Sequence, residues 1–374
     1  MTSPPPDVLV VGGGIVGAAV GRALAADGHA VEILDSGKEL GIATQASAGM
    51  LAPLAESDPE EPLVGLAVRG RDLYRTLCPA LEEETGVTLG LWLDGILKVA
   101  FTEDEESAGK GAVAWQRQRG LGAEWLTAAE LRERCPGISP EACGAALAPE
   151  DGALEPLAAL EAFLVSAAHH GARIVRGERV LSLEVTDRRV TGVRTETGRR
   201  PAGAVVMAAG AWSGRVEHLP RPLSVEPVRG QMLAYDWPAD EPPAIVYTGR
   251  GYVLRRGAEA IVGSTMEHAG FNAAVTPEGR EHVAHTGAHV YPALASATPR
   301  RAWAGLRPGT PDGRPIIGAD PDVSNLWYAT GHGRNGVLLA AVTGELIAFL
   351  FGGGAGDGLE YDLAPVRPDR FWKD

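Results

Sequence analysis

The apolar residues of the chain fall into runs of different kinds, and each kind predicts a different structure. Short apolar runs that lead into glycine, at residues 8–11 and 204–213, are typical of buried parallel strands. Segments with apolar residues three and four positions apart predict helices at residues 15–27, 64–85 and 157–169. From about residue 223 to residue 303, short strands separated by proline and glycine predict an antiparallel sheet.

Shorter signals fill the rest of the chain. Strands are predicted at residues 95–101, 173–176, 180–185, 190–195, 229–234, 251–254, 260–263 and 326–329. Helices are predicted at residues 113–119, 128–134 and 337–351. The last helix is interrupted by Thr343, Gly344 and Glu345 and is too short to span a bilayer, so we expect it to be buried. Residues 305–318 are rich in glycine and proline and are predicted to form a loop.

Residues 7–35 form one continuous unit that carries the strongest functional signal. The strand at residues 8–11 leads into Gly12, Gly14 and Gly17, which have the G-x-G-x-x-G spacing. In such a unit the first glycine permits the turn, the second lets the backbone approach a pyrophosphate, and the third lets the helix lie close to the sheet. A second strand ends on Asp35, 18 residues after Gly17, where a carboxylate can accept hydrogen bonds from a ribose. The unit predicts a dinucleotide site and leaves FAD and NAD open.

Charge and cysteine content limit the partners, the metal sites and the location that we expect. A formal net charge of −14, with scattered positive residues, leaves no basic stripe for nucleic acid. The three cysteines form no C-x-x-C pair and no zinc-type pairing with histidine, so we expect reduced thiols, no metal site and a cytoplasmic protein. The first residues show no basic segment followed by a long apolar one, so no signal peptide is expected.

Three downstream patches distinguish the two cofactors. They are A-T-Q-A-S-A-G-M at residues 43–50, V-V-M-A-A-G-A-W-S at residues 205–213, and a segment that runs from L-R-P-G-T-P-D-G-R-P-I-I-G to A-T-G-H-G-R-N-G at residues 306–336. In the same order, these patches resemble the glycine oxidases of thiamine biosynthesis, within the D-amino-acid oxidase superfamily of flavoenzymes. The resemblance runs from Val8 to about Phe351, with residues 303–338 as its most specific part. It implies FAD.

The resemblance implies a noncovalent FAD stretched across the first domain. The glycines of the first turn would hold the pyrophosphate and Asp35 the ribose, while Thr44 and Gln45 would bond the phosphates. The helix after G-H-G-R-N-G presents free N–H groups that would stabilise negative charge on the reduced flavin, and His332 would add to this effect. No cysteine lies near Gly305, where sarcosine-oxidase relatives attach their flavin covalently. The expected cofactor contacts are Gly12, Gly14, Ile15, Val16, Gly17, Asp35, Ser36, Thr44, Gln45, Ser47, Ala48, Gly49, Met50, Val180, Ala209, Gly210, Trp212, Arg307, His332, Gly333, Arg334, Asn335, Gly336 and Val337.

Arg307 and Tyr252 are the residues expected to bind the substrate. The planar guanidinium of an arginine matches a carboxylate with two hydrogen bonds, and we expect Arg307 in the loop after the last strand of the antiparallel region. Tyr252 lies on a predicted strand and would offer its hydroxyl to the same carboxylate. By resemblance, the family uses an arginine and a tyrosine at these places. Met50, Met266 and Arg334 are expected to line the same pocket.

The activity implied by the resemblance is FAD-dependent oxidative deamination of glycine or another small amino acid. Hydride transfer to flavin N5 would give an imine, which water hydrolyses to an oxo acid and ammonia, and oxygen would be reduced to hydrogen peroxide. No Ser-His-Asp or paired-carboxylate arrangement stands out, and Asp312 and Glu267 have no obvious acid–base partner. A related sarcosine or D-amino-acid oxidase or dehydrogenase with another acceptor is the alternative. The exact amine, the acceptor and the pathway stay open, and a homotetramer is implied by the resemblance alone.

The expected fold is α/β, with a Rossmann-like FAD-binding domain and an inserted α+β substrate domain built on an antiparallel sheet. The cofactor motifs lie at the start, in the middle and near the end of the chain. The FAD-binding domain is therefore expected to comprise residues 1–85, 151–219 and 304–374, and the substrate domain residues 86–150 and 220–303.

Overall fold

The computed structural model describes residues 4–57, 61–238, 240–354, 359 and 361–372, so the extreme ends of the predicted domain ranges lie outside the described residues. The strands are β1 (Val8–Val11), β2 (Val31–Asp35), β3 (Met50–Leu51), β4 (Ile96–Ala100), β5 (Glu124–Thr127), β6 (Gly144–Ala148), β7 (Gly152–Ala153), β8 (Arg173–Arg176), β9 (Val180–Thr186), β10 (Arg189–Thr195), β11 (Arg199–Pro201), β12 (Ala204–Met207), β13 (Glu226–Asp236), β14 (Ile245–Thr248), β15 (Gly251–Arg256), β16 (Glu259–Gly263), β17 (Arg301–Gly309), β18 (Ile316–Ala319) and β19 (Leu326–Thr330). The helices are α1 (Ile15–Ala26), α2 (Ala43–Ala46), α3 (Val64–Thr85), α4 (Glu103–Gln118), α5 (Ala128–Arg134), α6 (Pro156–His169), α7 (Pro277–Val290) and α8 (Gly336–Phe351).

A six-stranded sheet in the order β18-β19-β12-β1-β2-β8 forms the first layer, and all neighbours are parallel except β18 and β19. β1 is apolar throughout because both of its faces are covered. Val8 and Val10 belong to the core cluster of α1, α6 and α8, whereas Leu9 and Val11 pack in the cluster that includes β9 and β10. The predicted α/β unit with a parallel sheet is confirmed.

An eight-stranded sheet in the order β17-β13-β16-β15-β14-β4-β6-β5 forms the second layer. Its neighbours are antiparallel apart from β14 and β4, so the predicted antiparallel region is also confirmed. Strands β4, β5 and β6 come from the earlier part of the chain and extend the same sheet, as expected of an inserted α+β domain. The exact domain boundaries stay a prediction, and β17 crosses the expected boundary at residue 304.

The predicted loop at residues 305–318 is confirmed only for residues 310–315, because β17 runs to Gly309 and β18 begins at Ile316. Proline is tolerated in β17 because this strand lies at the edge of its sheet, where one side needs no ladder hydrogen bond. Gly305 is required by packing, since a side-chain carbon there would lie 2.3 Å from Cβ of Ala46 in α2. Helix α7 and the first half of α4 were also not predicted from the sequence.

Helix α8 is buried, as predicted, but it is longer than predicted. Together with the 3₁₀ turn before it, the segment Gly333–Phe351 has 19 residues and a mean hydropathy of 1.4, which would suffice to cross a membrane by length and composition. Within the described structure, 61% of its most apolar window is buried, and the helix packs against α1 and α3. It is the core helix of the first layer.

Candidate active site

One cavity of about 990 Å³ runs from the first glycine turn to the face of the eight-stranded sheet. This volume lies at the upper end of the range for small-molecule and cofactor sites. The carboxyl ends of β1, β2 and β12 border one part of the cavity, and residues of β13, β15 and β17 border the other. The start of α8 lies along the cavity between the two.

The glycines of the first turn are required for different reasons. The fold itself requires Gly12 and Gly17, whereas only a bound ligand would require glycine at position 14. Gly12 has a φ of +107°, and a side-chain carbon on Gly17 would lie 2.0 Å from the carbonyl oxygen of Gly12. Gly14, by contrast, has a φ of −70° that any residue adopts. Its nearest neighbour would be Oγ1 of Thr44 at 3.6 Å, an ordinary contact. The space at Gly14 opens into the cavity, and it fits a phosphate group held by the start of α1.

Asp35 closes the opposite side of this turn. Its carboxylate accepts hydrogen bonds from the backbone N–H groups of Gly13 and Gly37, both at 2.8 Å. Each carboxylate oxygen can accept a further hydrogen bond, because an ionised carboxylate offers about four lone-pair positions. The ribose contact of Asp35 stays a prediction, and the geometry is compatible with it.

The small-residue segment at residues 43–50 is only in part arranged as expected. The Thr44 hydroxyl accepts a hydrogen bond from the N–H of Ile15 at 3.2 Å, so it caps the first turn of α1. Gly49 has a φ of +74°, and a side chain there would meet the carbonyl oxygen of Leu154. Gln45 is exposed and does not line the cavity, so its expected phosphate contact stays a prediction. Gly17 lies behind the turn and does not line the cavity. It allows the helix to pack closely against the strand.

The other expected cofactor residues all line the cavity. Trp212 belongs to the turn after β12, and its ring packs against Phe271 with the centroids 5.6 Å apart. Val180 lies at the start of β9 and lines the same cavity as Asp35. The remaining expected residues on the cavity wall are Gly12, Ile15, Val16, Ser36, Ser47, Ala48, Met50, Ala209, Gly210, Gly333, Asn335, Gly336 and Val337.

His332 lines the cavity, and any contribution it makes to stabilising the reduced flavin would come from a neutral ring. The ring is buried, and its Nε2 lies 3.0 Å from Oγ1 of Thr343 in α8. Burial lowers the pKa of His332 to about 3, so the imidazole is neutral at ordinary pH. Positive potential at this point therefore comes from the N-terminus of α8, where Asn335 provides no side-chain cap.

The substrate end is built around Arg307 on β17 and Tyr252 on β15. The guanidinium donates to the carbonyl oxygen of Thr265 at 3.2 Å and to Oγ of Ser264 at 2.6 Å, and it packs directly over Gly230. Ser264 is also the hydrogen-bond partner of Tyr252. The pKa of Arg307 is lowered and that of Tyr252 is raised by burial, so a cation and a neutral hydroxyl lie together. Arg307 lies on a strand rather than in the predicted loop.

The three residues predicted as pocket walls differ in position. Met50 on β3 is half-buried, whereas the Met266 side chain is 64% exposed and lies at the mouth of the cavity. Arg334, in the 3₁₀ turn before α8, places its Nε 2.9 Å from Oε2 of Glu56 and its Nη1 3.5 Å from the hydroxyl of Tyr247. All three border the same cavity.

Several residues of the candidate site were not predicted from the sequence. Glu56, Ser264 and Tyr247 line the substrate end, but no motif marks them. The only signal for Glu56 was a carboxylate six positions after Met50, at the end of the small-residue loop. Glu267 and Asp312 had no obvious partner in the sequence. In the structure, Glu267 forms a salt bridge with Arg229 and Asp312 forms one with Arg370.

The comparisons with known proteins agree with this geometry. A family model described as FAD dependent oxidoreductase matches residues 7–350. A glycine oxidase of Geobacillus kaustophilus is 34% identical over 368 residues, with 97% of each chain covered. A bifunctional protein ThiO/ThiG of Trichormus variabilis is 35% identical, and the match covers 91% of this chain and 52% of that protein. The crystal structure of glycine oxidase from Geobacillus kaustophilus has a TM-score of 0.91 and 33% identity over 98% of both chains.

Proposed function

The chain belongs to the FAD-dependent oxidoreductase family, and on that premise we propose that it deaminates glycine or another small amino acid oxidatively. The strongest support is the placement of Arg307 and Tyr252, which share Ser264 at the far end of the cavity that begins at the glycine turn. A buried guanidinium beside a neutral phenol is suited to a carboxylate. The glycine oxidase relatives cover nearly the whole chain, which favours this substrate class.

The glycine end of the cavity fits a noncovalent FAD. The room at Gly14, the carboxylate of Asp35 and the uncapped start of α8 match a pyrophosphate, a ribose and an electron-rich ring system. None of the three cysteines, all of which are described, lines the cavity. Bound FAD would accept a hydride from the substrate α-carbon and pass the electrons to oxygen, giving hydrogen peroxide.

The residues of the chain would bind and orient the amino acid. Arg307 would hold the carboxylate with its remaining N–H groups, and Tyr252 would donate one hydrogen bond, because burial keeps its hydroxyl protonated. Met50 and Met266 would limit the size of the substrate side chain. When the carboxylate is held, the position of the substrate α-carbon is also set. Such positioning lowers the barrier to hydride transfer. Water then hydrolyses the imine product to an oxo acid and ammonia.

Anaerobic mixing of the purified yellow protein with glycine, sarcosine, D-alanine and L-proline tests this function. Bleaching of the flavin by at least one of them is expected, and absence of bleaching by every amino acid would refute it. An oxygen electrode then separates an oxidase from the alternative dehydrogenase, because only an oxidase consumes oxygen during turnover without an added acceptor. The ranking of the four substrates identifies the amine.

Three finer points complete the proposal. The likeness to ThiO/ThiG proteins supports a place in thiamine biosynthesis, and loss of thiamine-independent growth on deletion of the coding sequence would test it. A homotetramer is proposed from family resemblance, with light scattering as its test. A cytoplasmic location is proposed from the absence of paired or motif-spaced cysteines, and fractionation of cells would check it.

A further inference from the structure

Glu56 is a buried carboxylate at the substrate end with incomplete hydrogen bonding. Its side chain is 10% exposed and borders the cavity near Arg307 and Arg334. Oε2 lies 2.9 Å from Nε of Arg334, yet among the described residues this oxygen has no aligned hydrogen-bond donor. The ion pair compensates the charge of this carboxylate, but the acceptor positions of Oε2 stay open for an aligned donor. A ligand donor is therefore the natural partner to look for.

The position of Glu56 is fixed by a buried ion pair behind it. Asp151 accepts hydrogen bonds from the backbone N–H groups of Leu54 and Ala55, both at 2.9 Å, and its other oxygen lies 3.0 Å from Nη1 of Arg71. The Arg71 side chain is 1% exposed, so this network lies in the interior. The backbone next to Glu56 is thus held in place without using the Glu56 side chain itself, as expected for a preorganised functional group.

The charges around Glu56 indicate which part of an amino acid it would meet. The other carboxylates that line the cavity in the described structure, Asp35, Glu39, Glu178 and Glu217, belong to the segments around β2 and β9 at the cofactor end. Arg307, Arg334 and Lys98 all act electrostatically on Glu56, although burial still raises its pKa. If Arg307 binds the substrate carboxylate, the remaining polar group of a small amino acid is its amine. Glu56 is the lining acceptor of suitable charge.

We propose that Glu56 binds the amino group of the substrate and accepts the proton that the ammonium must lose before oxidation. In this step the N–H bond breaks, the O–H bond on Oε2 forms, and the nitrogen keeps its electron pair, so no electrons leave the substrate. This role presupposes the proposed amino-acid oxidation. Burial favours it, because a carboxylate whose pKa is raised accepts a proton more readily at neutral pH.

Glu56→Gln in the FAD-loaded protein tests the role, since it keeps the size and removes the charge. We expect kcat/KM for glycine at pH 7 to fall about 100-fold, in the range for loss of a general base. The deficit should shrink as the pH rises towards the titration of the free amine, because the amine then arrives unprotonated. Glu56→Asp should recover part of the activity. Glu345→Gln, on an exposed ion pair with Arg69, is the matched control and should behave as wild type.

Acetate binding, monitored by the change in flavin absorbance, distinguishes the proposed role of Glu56 from a structural one. Acetate has the carboxylate and no amine, so Glu56→Gln should bind it at least as tightly as wild type. Wild-type efficiency of Glu56→Gln on glycine at pH 7, a deficit that does not depend on pH, or equal losses for glycine and acetate would each overturn the assignment. If no amino acid reduces the wild-type flavin, the proposed function itself fails, and that outcome is distinct from these.

Discussion

The two ends of the cavity are built by different means. At the cofactor end, the site is formed by backbone groups and by the open space next to Gly12 and Gly14, which lie within one strand-turn-helix unit. At the substrate end, the contacts are charged and polar side chains on strands far apart in sequence, such as Tyr252 and Arg307. On the proposed function, the first end would bind the pyrophosphate and ribose of FAD, whereas the second would determine which amine reacts. Changes at the first end should therefore remove the cofactor, and changes at the second should alter catalysis with FAD in place.

The largest effect is expected from Gly14→Val. The backbone at Gly14 tolerates a side chain, so the apoprotein should fold, but the added carbon atoms would occupy the cavity where the pyrophosphate fits. We expect the protein to purify colourless, with FAD affinity lowered by more than about 100-fold, equivalent to roughly 3 kcal/mol. Flavin content and the unfolding temperature of the apoprotein are the measurements.

Gly17→Ala is the matched comparison for that variant. Its added carbon would lie 2.0 Å from a backbone oxygen, so the helix and strand must move apart and the apoprotein itself should be destabilised. Full flavin occupancy in Gly14→Val would show that the first turn does not hold the phosphates. Equal stability losses in both variants would show that Gly14 serves packing only.

Arg307→Ala should affect catalysis next most strongly. If Arg307 binds the substrate carboxylate as proposed, the change removes two charge-assisted hydrogen bonds, each contributing about 1.5–3 kcal/mol. The expected fall in kcat/KM is roughly two to four orders of magnitude for amino acids and small for amines without a carboxylate. FAD content should stay near that of wild type. Arg301→Ala, an exposed arginine on the same strand, provides the control. Unchanged efficiency of Arg307→Ala on glycine, sarcosine and D-alanine would move the carboxylate site to Arg334.

The same contrast explains how much could be predicted from the sequence. The unit at residues 7–35 could be placed nearly residue by residue, because its turn, its helix and Asp35 interact within one short segment. The resemblance to a known family supplied Arg307 and Tyr252, since residue type and order along the chain were enough. Glu56 was missed because its surroundings depend on Asp151 and Arg71, which lie 80 positions apart. No local pattern records such a contact.

Errors in the prediction also have physical causes. The second half of β17 was predicted to be a loop because glycine and proline usually end a strand, but Gly305 makes room for α2 and Pro308 lies on a sheet edge. Gln45 adjoins Thr44 in sequence but lies outside the cavity, because neighbouring residues on a helix point in different directions. His332 was expected to reinforce the helix N-terminus, and the motif could not show that the ring is buried and neutral.

Tyr252→Phe should have a smaller effect than Arg307→Ala. It removes one hydroxyl and leaves the guanidinium and Ser264 in place. Loss of a single hydrogen bond of about 1.4 kcal/mol lowers kcat/KM about tenfold. Steady-state kinetics on glycine with equal FAD content would check this, and a loss as large as that of Arg307→Ala would mean that Tyr252 does more than assist the arginine.

The smallest expected effect concerns His332, which lies on the wall where the two ends meet. An unfolded histidine has a pKa near 6.5, whereas burial lowers that of folded His332 to about 3. Between these values the unfolded chain binds a proton that the folded chain does not, so the stability from neutral His332 is complete above pH 6.5 and is lost as the pH falls. From pH 7.5 to pH 5 this amounts to about 2 kcal/mol of unfolding free energy, and it depends little on the folded pKa because pH 5 lies well above it. Urea unfolding at both pH values, with excess FAD, should show that His332→Gln reduces the difference by about this amount. An unaltered difference in His332→Gln would mean that the folded protein protonates this ring, and the charge at the start of α8 would then include His332 after all.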